Sequence, residues 1–334
     1  MYPIDNEISM PSVIGIGNAL VDIINVLEND TLLNNFGLIR GSMTLVDAEL
    51  SRKIYDATYF NKREITTGGS AANTIHALAD LGVSCGYIGK IGNDILGKIF
   101  REEFERKNIE PHLLSSLKDT GRVIGLVSPD SERTMATYLG AAADLQPEEL
   151  NRAIFRGYSF LYIEGYLVQN HKLIETAIEL ARQERLNIAV DLSSFNVVES
   201  NLSFLRKLIS EKVDIVFANE EEAFAFTGRQ PEEAVTEIAS MCEIAIVKKG
   251  KEGSLIMQAG ELCKVESVVA NAIDTTGAGD NYAAGFIYGL SNGFSLEKSG
   301  KIASLIAGKV VEVMGAKIPG TMWPEILNTI NSMA

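Results

Sequence analysis

The chain has 334 residues, of which 46% are hydrophobic and 22% are charged, and its formal net charge is −14. This length fits one large domain, with or without a smaller appended unit, and the composition is typical of a soluble globular protein. The acidic balance argues against a nucleic-acid backbone or an anionic membrane as the main partner, because both carry negative charge themselves. A nucleotide substrate is still compatible, since Mg²⁺ and local donors can hold its phosphates.

Cysteine usage and the N-terminal segment bear on the compartment. Cys85, Cys242 and Cys263 lie far apart and form no Cys-x-x-Cys pair, which favours a reducing compartment. The first residues include Asp5 and Glu7 and no basic region, so we expect no secretory signal peptide. No run of about 18 apolar residues predicts a membrane span. We therefore predict a cytoplasmic protein.

The first predicted element is a buried strand over residues 12–17, which ends in a glycine-rich turn. A nicotinamide-binding fingerprint needs a third glycine three positions after the second, and Leu20 occupies that position, which disfavours a dehydrogenase. Asn18 and Asp22 follow. They are either a turn-forming Asn and an exposed Asp, or polar groups aimed into a cleft. Because the neighbours of Asp22 are apolar, its charge needs a partner in the second case.

Two segments, residues 26–62 and 115–139, do not fit a simple alternation of strands and helices. They contain a strand-like run at 43–46, a candidate helix at 48–55, and two strands at 122–128 and 133–139 joined by a turn. This pattern predicts a small appended sheet. Arg133 lies in it and could grip phosphate oxygens with its guanidinium group; a solvated surface arginine is the alternative.

Residues 68–73, Gly-Gly-Ser-Ala-Ala-Asn, precede a helical pattern. Gly68 and Gly69 would let the backbone approach a ligand closely, and Asn73 could exchange hydrogen bonds with a ligand hydroxyl. Tight packing of a helix at a glycine-rich start is the alternative interpretation.

After residue 140 the sequence alternates regularly between strand and helix patterns, which predicts a parallel sheet with right-handed crossovers. Ligands of such sheets bind outside the carboxyl ends of the strands. Polar residues follow the predicted strands at 159–163, 188–190, 215–217 and 244–247: Glu164, Asp191, Asn219 with Glu222, and Lys248. Asn219 and Glu222 are either a capped helix start or a pair that helps to hold hydrated Mg²⁺. Gly250 and Gly253 mark the next turn.

The stretch from Asp274 to Asp280, Asp-Thr-Thr-Gly-Ala-Gly-Asp, leads into a long apolar helix. At such a helix start, unpaired N–H groups and the helix dipole form an anion site around residues 277–279. Asp280 would face the anion, which is unfavourable unless the carboxylate takes a proton from an attacking hydroxyl. An ordinary helix start capped by Thr276 is the alternative.

Together these motifs resemble the ribokinase-like (PfkB-type) carbohydrate and nucleoside kinases over nearly the whole chain. Residues 274–287 match that family's C-terminal pattern throughout, and residues 68–73 match its N-terminal pattern in part. Residues 17–22, 133–136 and 219–226 are most similar to the adenosine kinase branch.

The resemblance implies an α/β fold, a three-layer αβα sandwich with a mostly parallel central sheet and a small β lid. We assign residues 12–25, 63–114 and 140–334 to the large nucleotide-binding domain, and residues 26–62 and 115–139 to the lid. The implied activity is ATP-dependent phosphorylation of a hydroxymethyl group, with adenosine as the first choice of acceptor. A ribokinase- or fructokinase-type sugar kinase and an inosine or guanosine kinase are the alternatives. The partners implied are small molecules, and the chain would be a monomer or a homodimer.

The resemblance also implies roles for individual residues. Asp280 would be the general base, and Gly277, Ala278 and Gly279 would form the anion hole for the γ-phosphate. The acceptor side would consist of Asn18, Asp22, Gly68, Gly69, Asn73 and Glu164, with Arg133 reaching from the lid to the phosphates. The nucleotide side would consist of Asn219, Glu222, Lys248, Gly250 and Gly253, with Glu222 binding Mg²⁺ through water and Asp274 binding K⁺. The rival is a nucleotide sensor with an inactive kinase fold, against which Asp280 and the glycine run both argue.

Overall fold

The computed structural model describes residues 12–61, 63–130 and 132–333, so the N-terminal segment and the tip of the 129–132 turn lie outside the described residues. The described chain forms two β-sheets and a set of surrounding helices. In chain order the strands are β1 (Ser12–Ile16), β2 (Leu20–Val26), β3 (Met43–Leu45), β4 (Arg63–Gly68), β5 (Ser84–Gly92), β6 (Ile109–Ser116), β7 (Gly121–Val127), β8 (Arg133–Tyr138), β9 (Phe160–Glu164), β10 (Asn187–Asp191), β11 (Ile215–Asn219), β12 (Ile244–Lys248), β13 (Ser254–Gln258) and β14 (Glu261–Val265).

The helices mostly follow the strands, as expected for crossover connections. The α-helices are α1 (Thr31–Asn35), α2 (Ala48–Ala57), α3 (Ser70–Asp80), α4 (Ile95–Arg106), α5 (His171–Gln183), α6 (Phe195–Lys212), α7 (Glu220–Thr227), α8 (Pro231–Ala239), α9 (Ala278–Ser291), α10 (Leu296–Val310) and α11 (Trp323–Ser332). Short 3₁₀ segments span Gly140–Asp144, Pro147–Glu149, Arg152–Phe155, Gly165–Gln169 and Gly250–Glu252.

Nine strands form the central sheet in the order β14-β13-β12-β11-β10-β9-β1-β5-β6. The two pairs that involve β13 are antiparallel, and every other neighbouring pair is parallel. Helices α3, α4, α9, α10 and α11 pack on one face of the sheet, and α5 to α8 pack on the other. The central strands are continuous apolar runs because both of their faces are covered. This arrangement confirms the predicted three-layer fold with a mostly parallel sheet.

Five strands form the second sheet in the order β3-β8-β7-β2-β4, and helices α1 and α2 pack on one of its faces. The sequence-based boundaries differ from the structure here. They place residues 20–25 and 63–68 in the large domain, whereas β2 and β4 pair with each other and β2 pairs with β7 in the small sheet. The alternation of a half-buried strand shows which side chains are covered, but it does not show which sheet the strand joins.

The carboxyl ends of β9, β10, β11 and β12 are neighbours along one edge of the central sheet. A polar side chain from each of these strand ends therefore lies at the same edge of the sheet, close to the start of α9. Within the described residues, no helix combines the length and the apolar character needed to cross a bilayer.

Candidate active site

Asp280 lies in the first turn of α9, where Gly277 forms the N-cap with a φ of +74°. A Cβ atom on Gly277 would lie 2.5 Å from the Cβ of Ala316, so both the backbone angle and the space require glycine. The carboxylate of Asp280 accepts hydrogen bonds from Ser70 Oγ at 2.7 Å and from Asn73 Nδ2 at 2.9 Å. Burial raises the pKa of Asp280 to about 6, against the effect of these two hydrogen bonds. A fixed carboxylate with this pKa can act as a general base near neutral pH.

The start of α9 also presents donors to an anion. The N–H groups of Gly279 and Asp280 have no acceptor within the helix, because the first turn offers none. The N–H of Ala278, which was predicted to belong to the anion hole, instead donates to the Thr275 carbonyl oxygen at 3.2 Å. A Cβ atom built on Gly279 would lie 3.2 Å from Lys248 Nζ, so this ammonium group is next to the same turn. Backbone amides, the helix dipole and the charge of Lys248 therefore converge on one place, which suits a phosphate group.

Lys248 belongs to a buried charge cluster at the carboxyl ends of the strands. Its Nζ atom lies 2.8 Å from Asp191 Oδ2, and the side chains of Asp191 and Glu222 are almost completely buried. Burial, reinforced by the charge of Asp191, raises the pKa of Glu222 to about 7. Two buried carboxylates with one neighbouring ammonium group favour the approach of a further cation.

The metal-binding capacity of this cluster is limited. In the part of the chain that the structure describes, no group of three or more His, Cys, Asp or Glu side chains could hold a metal ion. Mg²⁺ usually keeps several waters and takes one or two carboxylates together with substrate phosphates. Each oxygen of the Asp191 and Glu222 carboxylates already accepts a hydrogen bond, so these groups would meet Mg²⁺ through its water ligands.

Asn219 and Glu222 also form the capping interaction that the sequence left as an alternative. Asn219 Oδ1 accepts from the Glu222 N–H group, while the Glu222 carboxylate accepts from the backbone N–H and side-chain amide of Asn219, each at 2.8 Å. This capping box fixes both side chains at the start of α7. Gly250 and Gly253, with φ of +51° and +87°, lie in the turn between β12 and β13.

The part of the site predicted to face the acceptor contains Asp22 and the two glycines at the end of β4, Gly68 and Gly69. A Cβ atom on Gly68 would lie 2.3 Å from an Asp22 carboxylate oxygen, so this carboxylate occupies the space that the glycine leaves. Gly69 has a φ of +100°, and a Cβ there would lie 2.2 Å from the carbonyl oxygen of Asn18. Burial raises the pKa of Asp22 to about 6, although the charges of Lys317 and Arg133 lower it.

Glu164 differs from its predicted position facing the acceptor. The residue is only 1% exposed. Its Oε1 atom accepts from the backbone N–H of Asn18 at 2.9 Å and from the Asn18 side chain, and its Oε2 atom accepts from the Ala71 N–H at 2.9 Å. Burial raises the pKa of Glu164 to about 7. The carboxylate thus ties the turn after β1 to the start of α3, and it engages the Asn18 amide from within the protein.

Arg133 extends from β8 of the small sheet to the loop before α9. Its Nη1 atom lies 2.6 Å from Asp274 Oδ2 and 3.0 Å from Thr276 Oγ1. Burial raises the pKa of Asp274, but hydrogen bonds from Gly315 and Thr276 and the charge of Arg133 outweigh it, so the pKa lies below its usual value. Both Asp274 oxygens are engaged by these donors. This donor set does not fit K⁺ at the Asp274 side chain, and we assign K⁺ no role.

Two contributors to the site were not predicted from the sequence. Ser70, which orients Asp280, precedes Asn73 by three residues and so lies on the same helical face, a signal that could have identified it. Lys317 contacts Thr67 and Glu103. It is 250 positions from Thr67, so no local pattern connects the two.

Comparison with known proteins gives consistent matches. The family described as pfkB family carbohydrate kinase matches residues 39–322. A 5-dehydro-2-deoxygluconokinase of Listeria monocytogenes serotype 4a (strain HCC23) is 30% identical over 291 residues, which cover 81% of this chain and 88% of the relative. A solved structure of a probable sugar kinase from Rhizobium etli CFN 42 has a TM-score of 0.87 at 32% identity, covering 97% of this chain and 100% of the other. The adenosine kinase from Sinorhizobium meliloti has a TM-score of 0.83 at 34% identity, covering 93% and 96%.

Proposed function

The chain belongs to the PfkB family of carbohydrate kinases, and from this premise we propose that it transfers the γ-phosphoryl group of ATP to the hydroxymethyl group of an uncharged nucleoside, with adenosine as first choice. Its relatives are phosphotransferases that act on alcohol groups of sugars or nucleosides. One observation carries the proposal: the Asp280 carboxylate is oriented by Ser70 and Asn73 beside the unpaired amides of a helix start.

Each part of the site has a role in this reaction. Asp280 removes the proton of the acceptor hydroxyl, and the amides of Gly279 and Asp280 stabilise the charge on the phosphoryl oxygens with help from Lys248. Asp191 and Glu222 would hold Mg²⁺ through water, and the metal would neutralise phosphate charge. Arg133 binds the small sheet to the loop before α9. In this closed arrangement water would be excluded as a competing acceptor.

The inner face of the small sheet supports a nucleoside as the acceptor. Asp22 and Ile24 lie on the same face of β2 because side chains alternate along a strand. Ile24 is opposite Gly125, and its Cδ1 atom would lie 2.6 Å from a Cβ on that glycine. Met135 follows in register on the next strand, on the same face as Arg133. An apolar strip beside the carboxylate suits an acceptor with a flat apolar part, such as a nucleobase.

The charges around the site support an uncharged acceptor. Arg133 pairs with Asp274, and Lys317 pairs with Glu103 at 2.7 Å. Lys248 pairs with Asp191. Each of these three cations therefore already has a carboxylate partner, while Asp22 adds a further negative charge. An acidic sugar would meet net repulsion here.

A sugar kinase is the second candidate, because the Listeria relative is named 5-dehydro-2-deoxygluconokinase and the Rhizobium etli structure is described as a probable sugar kinase. The charge argument favours a neutral sugar over a sugar acid within this alternative.

The predictions of a cytoplasmic protein and of a monomer or homodimer stay predictions; three free thiols, on Cys85, Cys242 and Cys263, support the first.

The decisive experiment is a turnover screen with Mg·ATP and separate acceptors: adenosine, inosine, ribose, fructose and 5-dehydro-2-deoxygluconate. ADP release is followed by a coupled assay, and Asp280→Asn is the control variant. We expect turnover of adenosine, and a loss in kcat of about 10²–10⁴-fold in Asp280→Asn with ATP binding retained.

Three other outcomes would change the proposal. Turnover of a free sugar with adenosine inert would replace the acceptor. Near-normal kcat in Asp280→Asn would remove Asp280 from the role of base. Binding of ATP without turnover of any acceptor would argue for a nucleotide sensor instead of a kinase.

A further inference from the structure

A partly buried polar cluster lies behind the acceptor side of the site and has no role in the steps above. Lys317, in the segment between α10 and α11, donates hydrogen bonds to Thr67 Oγ1 and, at 2.7 Å, to Glu103 Oε1. His76 Nε2 lies 3.2 Å from Thr67 Oγ1 and 3.7 Å from Glu103 Oε1. The cluster therefore joins β4, α3, α4 and the C-terminal segment at a single ammonium group.

This ammonium group is bound to the residue that precedes Gly68, the glycine beside the Asp22 carboxylate. Thr67 immediately precedes Gly68, against whose Cα the Asp22 carboxylate packs. In the β2–β4 register, Thr67 is opposite Val21 and Thr66 is opposite Asp22. Because side chains alternate along β4, Thr67 and the Lys317 bound to it lie on the opposite face of the strand from Asp22. On its other side Lys317 is bound to Glu103 of the large domain.

Two cations, Lys317 and Arg133, act on the Asp22 carboxylate, and each also pairs with another carboxylate. Burial raises the pKa of Asp22, and among the cations Lys317 lowers it most, followed by Arg133. Arg133 already pairs with Asp274. His76 brings no positive charge to this place near neutral pH, because burial and the neighbouring cations Lys317, Lys107 and Arg106 keep its pKa well below the usual value.

The surroundings of Lys317 change its pKa in opposite directions. Burial and the charge of Lys107 lower its pKa, while the charges of Glu103 and Asp22 and the hydrogen bond to Glu103 raise it. The net effect lowers the pKa of Lys317, while the ion pair with Glu103 at 2.7 Å favours its ammonium form.

We propose that Lys317 is a positioning residue for the acceptor: it ties the end of β4 to α4 and holds a positive charge behind the Asp22 carboxylate. In this arrangement Asp22 faces the acceptor hydroxyls ionised and in a fixed place. The inference rests on the proposed function in one respect, namely that Asp22 contacts the acceptor.

The test compares Lys317→Met, which removes the charge, with Lys317→Arg, which keeps it. The first readout needs no turnover: the ¹³C NMR titration of the Asp22 carboxyl carbon, assigned by its disappearance in Asp22→Asn. We expect Asp22 to titrate at higher pH in Lys317→Met and near its wild-type pH in Lys317→Arg. An unchanged titration in Lys317→Met would overturn the proposal, whatever the enzyme phosphorylates.

The second readout is kcat/KM for the acceptor as a function of pH. In Lys317→Met the acid limb should move to higher pH, with a loss of about fivefold near pH 6, and the KM for ATP should not change. In the Asp22→Asn background the same substitution should move no limb. A uniform loss at all pH values, in both backgrounds, would show a purely structural role. If the wild type phosphorylates no acceptor, the proposed function fails while the NMR titration still decides the role of Lys317.

Discussion

Gly68 shows how a single missing side chain can place a functional group. The Asp22 carboxylate fills the space in which a Cβ of residue 68 would stand, with all three of its atoms within 2.5 Å of that position. The carboxylate is the end of a side chain, so it can move aside at little cost to the fold. In moving, it would leave the place from which it can meet the acceptor.

We therefore expect Gly68→Ala to lower kcat/KM for the acceptor by about 10²-fold, the usual effect of a displacement of about 1 Å at a reacting group. The KM for ATP and the melting temperature should change little. Gly320→Ala is the matched control, since Gly320 has nothing within 4 Å of its Cβ position and no positive φ. Equal acceptor kinetics in the two variants would contradict the role of Asp22.

The role of an individual residue is best predicted from the sequence when it depends only on neighbours in the chain. Gly277 and Asp280 are close in the chain, and a helix start with small residues leaves few other interpretations. Glu164 was misplaced because a polar residue after a buried strand can face a cleft or turn inward. Which of these occurs depended on Asn18 and Ala71, whose approach no local pattern reveals.

Among the elements, the contact between β8 and the loop before α9 joins the small sheet to the catalytic loop. Arg133 and Asp274 are both mostly buried, with side chains 15% and 7% exposed. A buried pair of this kind leaves an uncompensated charge when one partner is removed. We therefore interpret the pair as a latch between the small sheet and the loop before α9, which under the proposed function would keep this sheet over the acceptor.

We expect Arg133→Ala to lower kcat by about 10²-fold, comparable to the loss of one charge-stabilising donor, and to raise the ratio of ATP hydrolysis to acceptor phosphorylation. Arg133→Lys should keep the charge but recover only part of the loss, because lysine lacks the rigid guanidinium group that places Nη1 against both Asp274 and Thr276. Arg52→Ala, on the exposed surface of α2, is the control. Hydrogen exchange should increase in β8 in Arg133→Ala alone. Unchanged exchange and unchanged kcat would show that the contact is not a latch.

The elements themselves could largely be predicted from the sequence. The runs at 188–190 and 244–247 are the cores of β10 and β12, since a strand covered on both faces is an unbroken apolar run. The membership of β2 could not be predicted, because it depends on pairing with β7, about a hundred residues later. Lys317 could not be identified for the same reason, because its contact with Thr67 joins residues 250 positions apart.

For the molecule as a whole, the active site concentrates carboxyl groups that bind protons more tightly when folded. Burial raises the pKa of Asp22 and Asp280 to about 6 from 3.8, and that of Glu164 and Glu222 to about 7 from 4.5. Each group therefore stabilises the folded state below the lower value and loses that contribution as pH rises through the higher one. Burial of these carboxyl groups at the site therefore lowers the free energy of unfolding near neutral pH.

We expect the melting temperature of the ligand-free protein to fall between about pH 5 and about pH 7.5, and Mg·ATP to recover part of the loss. The net charge of −14 also makes self-repulsion grow with pH, but salt screens charges at the surface far more than buried ones. The slope that persists in about 0.5 M NaCl therefore belongs to the buried carboxyl groups. Glu164→Gln should lower the melting temperature overall and flatten this slope, whereas Glu211→Gln, at an exposed position, should leave it unchanged. A melting temperature that is constant or rises across this window in high salt would contradict the linkage between burial at the site and stability.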